Sequence, residues 1–144
     1  MARERFRGRI PAGLLYDPRN DLWIRAEGSE VVIGATSYGA HVAGEIMAFT
    51  PKQPGREIET GRSIGVVEVA KTLIAVHAPL TLRVTARNES AIAAPSLINS
   101  DPYGEGWMLR AVPLRWQAER AELVDRDAYV GHLLAIEPDA EVTA

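Results

Sequence analysis

The chain has 144 residues, 47% hydrophobic and 24% charged, with a formal net charge of −3 and no cysteine. That length suits one domain and that composition excludes wholesale disorder, while the missing cysteine excludes a disulfide framework, a thiolate nucleophile and a thiolate metal site. The mildly acidic balance offers no field for a phosphate backbone, so nucleic acid is not an expected partner.

No apolar run is long enough to span a bilayer, and no apolar h-region follows the opening MARERFRGRI, so neither membrane insertion nor a signal peptide is expected and the predicted location is the cytoplasm. Residues 1–15 read as a solvated basic arm, its arginines interrupted by Glu4. DLWIRAEGSEVVIGA then predicts two strands about a Glu27-Gly28-Ser29 turn. Thr36 or Ser37 can cap a short helix running to Val42 and stopped by Gly44.

The centre, 45–88, is strand-rich and punctuated by Pro51, Pro54, Gly55 and Gly61. Residues 63–78 form an apolar run longer than one strand of about 3 to 10 residues, so they are expected to fold back on themselves. The only charged residues inside that run are Glu68 and Lys71, which puts the reversal at EVAKT. LTLRVTAR alternates, with Leu80, Leu82, Val84 and Ala86 on one face. NESAIAAP predicts a capped helix of about two turns ending before Pro95. The loop DPYGEG leads into a strand over 107–112, and the tail predicts an amphipathic helix with Leu123, Ala128 or Tyr129, Leu133 and Ile136 on one stripe, broken by Pro138. Many short strands with helices at their edges point to a small mainly β barrel or sandwich: a domain over 16–113, with a C-terminal helix and tail over 114–144 packed on it or flanking it.

Chemistry-bearing patterns are sparse. His41, His77 and His132 have no metal-ligand spacing, and there is no nucleophile elbow, P-loop or dinucleotide-binding glycine motif. A self-contained enzyme is therefore not expected. What stands out is Lys71. Of the 16 lysines and arginines only two are lysines, Lys52 in a proline-rich loop and Lys71 within the apolar run. An amine can be acylated, whereas a guanidinium stays protonated and is a poor acylation target.

The blocks DLWIR, VIGATSYGAHVAGEI, GREIETGRSIGVVEVAKT, HAPLTLRVTARNESAIAAPSLIN and above all NSDPYGEGW resemble, in order, the glycine cleavage H-protein family of lipoyl carriers. The resemblance implies a mainly β barrel-sandwich hybrid with short helices and a carrier that is not a catalyst. It implies lipoic acid in amide linkage to Lys71, with Glu68, Gly61 and Gly65 read by, or shaping the hairpin for, a lipoate-attaching enzyme. A swinging arm there would serve partner enzymes, among them dihydrolipoamide dehydrogenase, and the carrier is expected to be a monomer.

Three departures from the family bear on the partners. The usual Glu-Ser-Val-Lys-Ala is Glu68, Val69, Ala70, Lys71 and Thr72, followed by apolar Leu73, Ile74 and Ala75; Leu82 replaces a usual glycine; and 47–57 replaces a Leu-Pro-x-x-Gly segment. Val69, Thr72, Leu73, Ile74 and His77 are thus the expected partner contacts. The altered hairpin favours a carrier in sulfur oxidation with a heterodisulfide-reductase-like complex. The alternatives are the glycine cleavage H protein, serving the P, T and L proteins, and an unlipoylated H-like binding module.

Overall fold

The computed structural model describes residues 4–144. Strands β1 (Arg7–Arg9) and β2 (Leu15–Asp17) lead into the hairpin of β3 (Leu22–Glu27) and β4 (Glu30–Ala35). Its two-residue turn begins with Gly28 at φ +63°, the positive φ that a tight hairpin matching the strand twist requires. Helix α1 (Ser37–Ala43) follows. The Thr36 hydroxyl accepts the Gly39 N–H at 2.9 Å, and Gly44 at φ +91° ends the helix by donating to the Ala40 carbonyl.

Strands β5 (Ala48–Pro51), β6 (Glu57–Ile58), β7 (Ser63–Glu68), β8 (Leu73–His77) and β9 (Leu82–Arg87) make up the centre. They are followed by α2 (Glu89–Ala93), α3 (Leu97–Ser100), β10 (Leu109–Pro113), α4 (Trp116–Glu119), a 3-10 turn over Arg120–Glu122, α5 (Arg126–Ile136) and β11 (Glu141–Thr143). Six strands form one sheet in the order β2-β3-β4-β10-β9-β6, and β5-β7-β8 form a second. The chain is mainly β, a barrel-sandwich hybrid in which alternating residues such as Ile24, Ile33, Leu82, Val84 and Leu109 fill the main core. A second cluster, with Phe49, Val67, Ile98 and Met108, fixes the smaller sheet to it. Among the described residues no helix is long and apolar enough to cross a membrane.

Several expectations meet a different local outcome. The arm expected to be solvated is a strand: β1 runs parallel to β11, Phe6 and Ile10 are buried, and Glu141 lies 2.9 Å from Arg5 and 3.5 Å from Arg7. The two termini clasp because each supplies apolar residues to the same cluster, Phe6 and Ile10 from one end, Ala140 and Val142 from the other. The tail is not one helix. Asp125 caps a new helix by accepting the Ala128 N–H, so Leu123 and Val124 stay extended and Val124 exchanges backbone hydrogen bonds with Tyr16. Tyr129 and Leu133 are fully buried, and the Tyr129 ring stacks on Tyr16 with centroids 4.8 Å apart, whereas Ile136 faces solvent. The predicted strand from Trp107 starts at Leu109, because 101–107 forms its own knot of turns.

Candidate functional site

The run 63–78 does fold back, and the reversal falls at EVAKT. Strand β7 pairs antiparallel with β8, Glu68 opposite Leu73 being the last pair, and the Val69 N–H donates to the Thr72 carbonyl at 3.0 Å. Ala70 and Lys71 are left as the tip. Lys71 is exposed and, among the described residues, makes no hydrogen bond or ion pair. A free amine on a turn that projects from a rigid sheet is what an acylating enzyme can reach.

The glycines shape the strands below the tip. A Cβ on Gly65 would lie 2.9 Å from the Pro51 Cα and 3.0 Å from the Thr50 carbonyl oxygen, so β5 can approach β7 only because residue 65 has no side chain. Gly61 has φ +85° and donates to the Ala78 carbonyl, which closes the base of the hairpin. Gly61 and His77 therefore stand at the far end of β8, about 20 Å of extended strand from Lys71. There they line an open cleft of about 600 Å³ with Asp17, Arg19 and Glu122.

Strand alternation sorts the remaining candidates. Phe49, Val67 and Ile74 point inward, and Val69 and Ile74 pack half-buried against the second cluster. Glu68, Thr72, Leu73 and His77 are exposed. Glu68 makes no ion pair among the described residues. Reading the hairpin as a list of apolar neighbours missed Ala48, Val66 and Ala75, which share the outward face with Leu73; the period-2 rule, applied from Lys71, was the available signal.

Along the unpaired edge of β8 lies a small cavity of about 100 Å³, walled by Ile74, Ala75, Val76, Ala40, Met108 and Asp21. Asp21 has φ +54°, and its carboxylate accepts from the Tyr129 hydroxyl at 2.8 Å, while that hydroxyl is in turn 2.8 Å from Thr36 Oγ1. Burial drives the Asp21 pKa above its ordinary value, outweighing the Tyr129 hydrogen bond that lowers it. On raising the pH the unfolded chain loses this proton first, so stability falls through the carboxylate range and the cost persists at neutral pH. Asp21→Asn keeps an acceptor for Tyr129 and a residue type that tolerates positive φ. Its urea midpoint should exceed the wild-type one at pH 7 and converge with it below about pH 4; equal midpoints at pH 7 would contradict the burial cost.

The comparisons with known proteins agree on one family. The glycine cleavage H-protein family model matches residues 14–135. A glycine cleavage system H protein of Magnetococcus marinus is 38% identical over 124 residues, covering 86% of this chain and 87% of the relative. Glycine cleavage system H protein 2 of Aquifex aeolicus is 35% identical over 132 residues, covering 90% and 82%. The crystal structure of a glycine cleavage system H protein from Mycobacterium marinum superposes with a TM-score of 0.76 at 28% identity, covering 86% of this chain and 98% of that one.

The preference for sulfur oxidation and a heterodisulfide-reductase-like complex finds no support in these relatives, and the glycine cleavage alternative fits them better. The structure removes part of its basis. Leu82 is fully buried in the main core, Ile74 faces inward, and the altered segment after β5 is a loop held by the Gly55 N–H on the Val84 carbonyl. Leu82, Ile74 and the 52–56 part of the altered segment are thus packing and loop changes away from the outward face, whereas Ala48 and Thr50 of that segment lie in β5. The chain belongs to the glycine cleavage H-protein family, whose members are lipoyl carriers and not catalysts, and bear the lipoyl group covalently on a lysine.

Proposed function

We propose that this protein is the H protein of a glycine cleavage system and carries lipoic acid in amide linkage on Lys71. The observation that supports this most directly is the position of Lys71: an exposed, unpaired amine at the tip of a hairpin held rigid by the close approach of β5 to Gly65. Lys52, by contrast, is half-buried on a segment whose backbone is tied down, the Lys52 main-chain N–H donating to the Ile64 carbonyl.

The chain's own part is mechanical and electrostatic. The paired strands fix the root of the arm, Glu68 three residues before Lys71 offers a carboxylate to the attaching enzyme, and Gly61 and Gly65 hold the geometry of the strand that displays both. Once bound, the dithiolane supplies a sulfur pair that can be reduced, loaded and reoxidised by thiol–disulfide exchange. Once the carrier has docked on a P, T or L protein, tethering makes the transfer local, since the arm then sets the effective concentration of the dithiolane at that active site. No cysteine is present to capture the arm in a mixed disulfide.

The test is intact mass of the protein from a lipoate-replete host, followed by glycine decarboxylation reconstituted with P, T and L proteins. A lipoyl increment together with glycine-dependent turnover is expected. An unmodified mass, or a lipoylated protein that supports no turnover, would overturn the reading.

A further inference from the structure

We propose that the outward face of the β5-β7-β8 sheet is a docking platform for an enzyme that works on the Lys71 arm, and that this enzyme meets it with an apolar surface bearing a cationic side chain over Glu68. The proposal rests on the carrier reading above.

The register defines the face. Ala48, Glu68 and Leu73 form one cross-strand row, and Thr50, Val66 and Ala75 the next, all on the side opposite the buried Phe49 and Val67. Cross-strand neighbours project on the same side, so these six residues make one continuous surface. Four of the six are apolar. Leu73 is 64% exposed, the highest value among the exposed large hydrophobic residues, and Met47, whose N–H donates to the Glu68 carbonyl, is 57% exposed beside the same row. Contiguous apolar surface left open on a sheet is a liability unless something covers it.

Charge narrows what covers it. Glu68 is the single charged residue of the six and has no ion-pair partner among the described residues. Acylation of Lys71 would remove the nearby positive charge, leaving the carboxylate as the dominant charge at the hairpin end. A partner that recognises the loaded form is therefore complementary when it is apolar opposite Leu73 and Ala75 and cationic opposite Glu68. Because the row nearest the tip adjoins Lys71, docking there delivers the root of the arm to the partner without contact to the tip itself.

The experiment uses the full-length, lipoylated protein with Ala75→Glu and, separately, Leu73→Ser, both at exposed outward positions, and Ile136→Glu on α5 as a control. Intact mass gives the lipoylated fraction, and steady-state kinetics with the P, T and L proteins give KM for the carrier and kcat. The expected result is complete lipoylation in every variant, with KM raised about tenfold or more for at least one of the three enzymes in Ala75→Glu and kcat kept within about twofold. Wild-type KM should also rise with salt, as screening of an attraction between Glu68 and a cationic partner requires. Wild-type KM values in both face variants would overturn the proposal, as would a defect confined to lipoylation, which would assign the face to the attaching enzyme. If wild-type protein itself is never lipoylated or turned over, the carrier reading fails instead.

Discussion

Replacing Lys71 by arginine is expected to abolish the lipoyl increment in the intact mass and all glycine-dependent turnover, while Lys52→Arg leaves both unchanged. The two substitutions keep charge and approximate length, so they isolate one property. An amine deprotonates readily enough to attack an activated acyl group, and a guanidinium does not. Position 71 is exposed at a turn tip with no partner to lose, so the variant should fold within about 0.5 kcal/mol of the wild type. Retained turnover in Lys71→Arg would mean that the arm sits elsewhere or that no arm is used. A fully modified protein after Lys71→Arg with loss of the increment after Lys52→Arg would move the site to the proline-rich loop.

What could be read in the sequence followed from strong local signals. The hairpin around Lys71 was legible because two charges interrupt a mostly apolar run longer than one strand usually extends, and α1 because Thr36 and Gly44 bracket it as cap and stop. The clasp of β1 on β11 was not legible. Arg-Gly-Arg and Glu-Val-Thr are too short and too polar to show alternation, and their pairing depends on residues around them: Phe6, Ile10, Ala140 and Val142 share one cluster, the Ile10 N–H finds the Thr143 carbonyl, and Arg126 ties both ends through the Ile10 and Thr143 carbonyls. Both strands also lie outside the residues that match the family. The bias toward sulfur chemistry came from treating every apolar residue near Lys71 as surface, when Val69 and Ile74 turn toward the core. Composition near a turn says that neighbours are apolar; only the register says which way each one points.

The segment Asn-Ser-Asp-Pro-Tyr-Gly-Glu-Gly-Trp carried the recognition of the family, yet its role here is architectural, and Gly106→Ala should expose that role as a large loss of stability. A Cβ at position 106 would lie 2.3 Å from the Leu97 carbonyl oxygen, 2.7 Å from its carbon and 2.8 Å from the Asp101 oxygen. All three are backbone atoms, so no side chain can swing aside. Relief requires moving the loop, and the loop is bonded to the core on every side. Trp23 Nε1 donates to the Pro102 carbonyl at 3.0 Å, and the buried Asn88 amide donates at 2.7 Å to both the Glu105 and Trp107 carbonyls. The Tyr103 hydroxyl joins the loop to the Ser37 N–H and the Arg9 carbonyl. Overpacking alone costs about 1 to 3 kcal/mol, and each buried donor left unpaired adds about 1 to 3 more, a sum comparable with a large part of the roughly 5 to 15 kcal/mol of a whole domain. Gly104→Ala is the matched comparison. There the Cβ would meet the Asp101 carboxylate at 2.5 Å, a side chain that can rotate away at the cost of its bond to the Glu105 N–H. Urea unfolding should therefore show a much lower midpoint for Gly106→Ala than for Gly104→Ala, with similar m values. Whatever fraction of Gly106→Ala remains folded should still be lipoylated, because Glu68 ends β7 of the other sheet and Lys71 sits on the turn between β7 and β8. Equal midpoints for the two variants would show that the loop yields as easily as a side chain, and that residue 106 is glycine for some reason other than the Leu97 backbone.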